Sequence, residues 1–226
     1  MNLPIKRVTI ITGHYGSGKT NFAVNLAMDL HKQGEKVILA DLDIVNPYFR
    51  SADFNAFLKQ YNIEVVASDY ANSNVDIPVL PARMYSLFES TGRHVILDVG
   101  GDDAGALALG RFSHTLKEQG NYEMLHVVNA HRFLTQKPED AVQIIREVEA
   151  ACRLKVTGIV NNSHLSSFTT ARDILKSYDY GKAVAGLCSL PLVCTTAPKE
   201  IADRLSEVEN LYPVEIYVKT PWEQQV

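Results

Sequence analysis

The run Gly13-His14-Tyr15-Gly16-Ser17-Gly18-Lys19-Thr20 carries the most specific chemistry in this sequence. It satisfies G-x-x-x-x-G-K-[ST] at every fixed position and directly follows a β-branched run at residues 8–12. Glycines at these spacings let backbone N–H groups turn inward around phosphate oxygens. A helix that starts at the lysine points its positive end at the same anion. Lys19 then reaches the β- and γ-phosphates, and the Thr20 hydroxyl is a magnesium ligand. A glycine-rich turn that merely happened to contain Lys-Thr would have no need to stand between a strand and a helix, as this one does. The run predicts a nucleotide site spanning Gly13, His14, Tyr15, Gly16, Ser17, Gly18, Lys19 and Thr20, with ATP and Mg2+ as its ligands.

Three further clusters follow apolar runs. In residues 40–48 (ADLDIVNPY), Asp41 and Asp43 stand two apart on a strand end and point the same way. Such a pair can hold a magnesium-bound water or orient an attacking one; it can also simply cap a strand and solvate a loop. In residues 97–103 (LDVGGDD), Asp98 ends an apolar strand, the position of the magnesium-side carboxylate in P-loop proteins. A glycine close behind it, Gly100 or Gly101, can offer its N–H to a γ-phosphate, a contact made with ATP and lost with ADP. Asp102 and Asp103 sit at a helix start, where the dipole favours carboxylates in any case. In residues 158–163 (GIVNNS), the amides of Asn161 and Asn162 can read a base edge or can form a plain turn. A guanine reader would carry Asp three residues after such an Asn. Position 164 is His, which favours adenine. Residues 191–197 are the expected other wall of a base pocket.

These clusters need a scaffold that brings strand ends together. Apolar runs at residues 8–12, 36–40, 63–67, 94–99, 124–129, 156–160 and 183–190 read as strands. They are near-continuous rather than alternating, as in strands buried on both faces of a parallel sheet. Between them, helical patterns read over residues 51–60, 82–90, 104–118, 139–152, 170–177 and 198–208, besides the helix after the loop, where Phe22, Leu26 and Leu30 repeat and Gly34 stops the pattern. Thr195 or Thr196 is placed to cap the helix at 198. The tail from residue 212 carries Pro213 and Pro221 and reads as an edge strand. The alternation predicts an α/β fold, a doubly wound, mostly parallel sheet with helices on both faces; together with the loop at residues 13–20 this is the pattern of the P-loop NTPase fold. In such a sheet ligands bind outside the carboxyl ends of the strands, where the clusters lie.

In this order the clusters resemble the MinD/ParA/Mrp class of P-loop ATPases, with a deviant Walker A loop, which also includes the nitrogenase iron protein. The resemblance runs from residue 8 to about residue 205. It implies that Asp41 and Asp43 form a D-x-D-like switch I; by position, as the loop able to reach the far side of the γ-phosphate, this makes Asp43 the residue expected to orient or activate the attacking water. It implies that Asp98 opens switch II, that Gly101 senses phosphate, and that Asp102 is the rival base in an iron-protein-like switch II. Thr20, Asp41 and Asp98 then make up the magnesium side. The class is typically slow in hydrolysis and dimerises face to face around two ATP molecules, so an ATP-dependent homodimer is expected. One departure stands out. The class reads K-G-G-x-G-K-[ST], whereas this chain has His14 at the early lysine and Tyr15 at the first of those glycines. A histidine carries little charge at neutral pH.

With 226 residues, 46% hydrophobic and 21% charged, the chain fits one domain over residues 1–226 with a substantial core. A net charge of −4 argues against nucleic acid as a partner. The first residues are too short and polar for a signal peptide and no run reaches membrane-span length, so a cytoplasmic location is expected, without membrane attachment. Cys152, Cys188 and Cys194 fit neither a disulfide framework nor a bridging iron–sulfur cluster beside switch II. The seven histidines form no metal-binding pair. The leading expectation is a slow ATPase acting as a nucleotide switch for a protein partner. The alternatives are a small-molecule kinase or ATP-dependent ligase, with Asn46-Pro47-Tyr48-Phe49-Arg50 as its substrate loop, and a nucleotide-binding partner that does not hydrolyse.

Overall fold

A computed structural model describes residues 3, 5–42, 52–67, 82–89, 92–101, 103–165 and 168–218. The strands are β1 (Val8–Thr12), β2 (Val37–Leu42), β3 (Glu64–Ala67), β4 (His94–Val99), β5 (Tyr122–Val128), β6 (Gly158–Asn161), β7 (Leu192–Pro198) and β8 (Leu211–Val214). They form one eight-stranded sheet in the order β3-β2-β4-β1-β5-β6-β7-β8. Every pairing is parallel. The order reverses around β1, so the switch point falls at the phosphate loop.

The helices are α1 (Lys19–Lys32), α2 (Ala52–Gln60), α3 (Ala82–Glu89), α4 (Asp103–Gly110), α5 (Ser113–Gln119), α6 (Pro138–Cys152), α7 (Ala171–Cys188) and α8 (Lys199–Ala202). Strand side chains alternate between two cores. Val8 and Ile10 of β1 join Leu97 of β4, Leu109 of α4, Ile145 of α6 and Val184 of α7 on one face. Ile11 joins Phe22 and Leu26 of α1, Leu39 of β2 and Leu58 of α2 on the other. Phe22 is fully buried, a contribution of about 1.5–3 kcal/mol. Sequence signals explain the helix ends. Pro138 opens α6 with Glu139 and Asp140 in its first turn, and Thr170 and Asp173 form a capping box on α7. Among the described residues, no helix is long and apolar enough to cross a membrane.

Two polar side chains on α1 substitute for strand pairing. Asn25 donates to the Glu215 carbonyl and accepts from the Glu215 N–H, both within 2.9 Å. Asn21 likewise donates to Glu215 O and accepts from the Tyr217 N–H. The segment after β8 is thereby stitched to the helix that follows the phosphate loop.

Three expectations are corrected. Residues 183–190 are not a strand but the end of α7, through Cys188, and its C-cap at Ser189; the strand is Leu192–Pro198. A short apolar run does not distinguish a buried strand from a helix. Here Ile174, Ser177, Gly181, Val184 and Ala185 are buried at helical spacing, and the Asn161 side chain packs on Gly181. Residues 104–118 divide into α4 and α5, separated by a turn at Arg111 and Phe112. The helix expected over 198–208 is only α8 followed by turns, and Thr195 and Thr196 lie inside β7 rather than capping it.

Candidate functional site

The loop between β1 and α1 has backbone geometry that its glycines alone make comfortable. Gly13 has φ 147° and Gly18 has φ 87°, in the region that side chains disfavour. A Cβ on Gly13 would stand 2.3 Å from the Val127 carbonyl oxygen of β5. Helix α1 begins without a side-chain cap and without an acidic residue in its first turn. Its N-terminal N–H groups and positive dipole end are therefore left for an anion. Lys19 is buried at that end, and its Nζ donates to the His14 carbonyl at 3.3 Å.

Two strand-end carboxylates lie near this end of α1. Asp98 is beside Ile11 in the β1–β4 register and is the direct register partner of Asp41 on β2. Both are almost fully buried, at 1% exposure. The alternation of the strands turns both toward the face covered by α1. The Thr20 hydroxyl at the start of α1 donates to Asp98 Oδ2 at 2.7 Å. A hydroxyl and two carboxylates on strands about 4.8 Å apart form a hard-oxygen donor set that suits magnesium. No group of His, Cys, Asp and Glu large enough for an all-protein metal cage occurs among the described residues. Magnesium is commonly held by one or two carboxylates together with substrate phosphates.

The segment after β4 presses on the loop. A Cβ added to Gly101 would meet the Tyr15 nitrogen at 2.5 Å and the His14 carbonyl carbon at 2.9 Å. Gly101 thus brings its backbone against the loop backbone, where a side chain would hold the two apart. Asp103 occupies the first turn of α4 and is exposed, the place where the helix dipole favours a carboxylate. Asp43 and Asp102, the two residues expected to act on the attacking water, lie outside the described residues, as do residues 46–50.

Asn161 and Asn162 do not fit the base-reading role expected of them. Asn161 is fully buried; its amide nitrogen donates to the Ser177 carbonyl of α7, and its oxygen accepts from the Ser163 hydroxyl. Asn162 donates to the Ser17 carbonyl at 2.7 Å and accepts from the Thr196 hydroxyl. Both ends of both amides are engaged within the protein. Asn162 props the phosphate loop and packs directly beneath Gly18. Residues 191–197, expected as a base-pocket wall, are mostly β7 and supply Thr196 to this support.

Two contacts had no counterpart in the sequence motifs. Arg132, after β5, donates its Nε to the Gly16 carbonyl at 2.6 Å. His126 of β5 is buried beneath the loop with its Nδ1 3.1 Å from the Thr12 hydroxyl. Burial pushes this imidazole down to about 3, with the charges of Lys19 and His14 adding to the effect, so it is neutral. His164 is pushed down to about 4, first by burial and then by His131 and Arg132. The signal for these contacts lay at the carboxyl end of β5, which pairs with β1.

Among solved structures, similar folds include FtsY from Mycoplasma mycoides, with 16% identity, TM-score 0.55 and coverage of 84% of this chain and 62% of that one. Chloroplast FtsY from Physcomitrella patens has 21% identity and TM-score 0.56, covering 82% and 56%. The signal recognition particle 54 kDa protein from Aeropyrum pernix K1, solved with GDP, has 17% identity and TM-score 0.55, covering 83% and 40%. At these identities the likeness is one of fold, and the chain spans 40 to 62% of their lengths. No curated protein matches the sequence. The family described as the CobQ/CobB/MinD/ParA nucleotide binding domain, CbiA, matches residues 8–195. That span contains the loop, both strand-end carboxylates and the Asn162 support, and the chain belongs to this family of nucleotide-binding P-loop domains.

Proposed function

We propose that this chain binds ATP with magnesium and works as a slow ATPase whose ATP and ADP states differ toward a protein partner. The hydrogen bond from Thr20 to Asp98, with Asp41 beside it in register, is the observation that carries this reading. It joins the first turn of the phosphate-loop helix to the strand that leads into residues 100–103. Thr20, Asp98 and Asp41 are the residues that would hold the metal. Bound there, magnesium would neutralise charge on the β- and γ-phosphates.

The chain's own groups would do the rest. Lys19 would exchange its bond to the His14 carbonyl for the phosphate oxygens. The loop N–H groups and the start of α1 would hold the remaining negative charge. Gly101 would sense the terminal phosphate through its backbone, and its close approach to Tyr15 and His14 supports reading this segment as a switch. Asp43 would orient the attacking water, with Asp102 as the rival base. Adenine remains the proposed base because His164 replaces the aspartate of a guanine reader, although the support from the Asn161 and Asn162 amides is withdrawn. An ATP-dependent dimer of this chain is one form the partner could take.

Single-turnover hydrolysis with Mg-ATP tests this reading, on the wild type and on Asp43→Asn and Asp102→Asn. A drop of about 10²-fold or more in one variant, with ATP binding retained, identifies the base. Measurable binding without hydrolysis in the wild type favours a non-hydrolysing partner or an enzyme that needs a second substrate. Calorimetry with GTP tests the base, and equal or tighter GTP binding would overturn the adenine reading.

A further inference from the structure

The phosphate loop has a second cation that its sequence motif does not contain. Arg132 follows β5, which flanks β1 on the side opposite β4. Besides the Nε bond to Gly16 O, the guanidinium carbon would lie 3.0 Å from a Cβ on Gly16, and Nη1 3.4 Å from it. The group therefore rests directly against the middle of the loop. The backbone that presents it is held firmly. The Asn129 carbonyl accepts from the Arg132 N–H at 3.2 Å and from the Thr135 hydroxyl at 2.8 Å. Asn129 Oδ1 accepts from the His131 N–H, the Ala130 N–H donates to Ser163, and the Tyr180 hydroxyl donates to the Thr135 carbonyl.

The side chain itself is exposed, so core packing does not call for an arginine here. The bond to Gly16 uses one of the guanidinium's several N–H donors. No carboxylate among the described residues pairs with it. A permanent positive charge, paired with no carboxylate among the described residues, thus stands beside a loop whose N–H groups and lysine already favour an anion. Its field also reaches His164, which it helps to keep unprotonated.

We propose that Arg132 binds the phosphate chain of the nucleotide, pairing with a terminal phosphate oxygen through the guanidinium N–H groups that Gly16 leaves unused. The proposal rests on the reading that residues 13–20 hold a nucleoside triphosphate. The bond to Gly16 is then the resting position of the side chain, within reach of the site. A planar, always-charged fork matches phosphate oxygens, and its attraction grows with the charge of the phosphate chain. Arg132 therefore contributes more to ATP than to ADP, and serves to tell the two apart.

Calorimetric titrations of Mg-ATP and Mg-ADP into the wild type, Arg132→Gln and Arg132→Lys test this. Arg132→Gln should lose about tenfold in ATP affinity and clearly less for ADP, in line with the removal of a charged hydrogen bond. The ATP-to-ADP affinity ratio should then fall by about fivefold, while Arg132→Lys keeps most of the ratio. Melting temperatures without nucleotide should be the same for all three proteins, because the side chain is exposed. Equal losses for ATP and ADP in Arg132→Gln would show that the residue only props the loop through Gly16 and would overturn the proposal, as would no loss. A wild type that binds neither nucleotide would overturn the underlying reading as well. Normal wild-type binding with an unchanged ratio in Arg132→Gln would overturn this proposal alone.

Discussion

Asn162 and Ser17, 145 positions apart in the chain, are joined by a 2.7 Å hydrogen bond from the Asn162 amide to the Ser17 carbonyl. The Thr196 hydroxyl fixes the other end of the same amide. The phosphate loop is therefore supported from β6 and β7 as well as by its own turns. Committing the Ser17 carbonyl to Asn162 takes this acceptor away from the anion site, where a carbonyl oxygen would repel phosphate.

Asn162→Ala removes both bonds and leaves the buried Ser17 carbonyl and Thr196 hydroxyl without them. Urea denaturation should show a loss of about 2 kcal/mol, within the range for buried polar groups left unsatisfied. Nucleotide affinity should fall as well, because the loop loses its support. Full stability in the variant would mean that water or a shifted side chain replaces the amide.

Gly101→Ala tests the approach of the segment after β4 to the loop. The added methyl would meet Tyr15 N at 2.5 Å, and the obstacle is backbone rather than a flexible side chain. One of the two segments must move. The expected result is a weaker preference for ATP over ADP, measured by equilibrium binding, with the core largely preserved. A variant with wild-type binding of both nucleotides would show that this contact does not serve the site.

Asp98→Asn keeps the shape of the side chain and removes its charge. Thr20 can still donate to the amide oxygen, so folding should change little. The gain in ATP affinity on adding Mg2+, compared with EDTA, should shrink sharply, since a neutral amide is a poorer partner for a hard cation. An undiminished magnesium effect would remove Asp98 from the metal side.

The buried histidines set a pH dependence. In the unfolded chain an imidazole takes up its proton near the ordinary value of about 6.5. His126 in the folded protein does so only near 3, and His164 near 4. Between those values and about 6.5 the unfolded state binds more protons, so this contribution is full at neutral pH and is lost on acidification. Each group adds a slope of about 1.4 kcal/mol per pH unit within its window. Denaturation at pH 7 and pH 5 should show the loss, and His126→Asn should have a shallower slope. Parallel slopes for the two proteins would contradict a buried, neutral His126.

Sequence patterns reveal local chemistry better than contacts made by folding. Residues 13–20 were readable because the spacing within one loop dictates its geometry. The place of Asp98 was readable because an apolar strand ending in a carboxylate is also a local pattern, and β4 does lie beside β1 with Asp98 opposite Ile11. Residues 183–190 were misread because an apolar run lacks a direction in space, and the helical spacing of Ile174, Ser177, Gly181 and Val184 shows only when the run is joined to the preceding segment. Asn161 and Asn162 sat at a strand end where ligands are expected, yet their partners, Ser177 and Ser17, come from distant parts of the chain. Arg132 belongs to no motif, and its meaning depends on the pairing of β5 with β1.

The central claim is that Lys19 and the loop around it bind the phosphates of ATP. Calorimetry with Mg-ATP on the wild type and Lys19→Ala measures it directly. Lys19 is buried at the start of α1, where its Nζ donates to the His14 carbonyl, and circular dichroism of the variant checks that the fold is retained. The account predicts clear wild-type binding and a loss of at least about tenfold in the variant, equivalent to removing a charged hydrogen bond of about 1.5–3 kcal/mol. Unchanged ATP affinity in Lys19→Ala would contradict it.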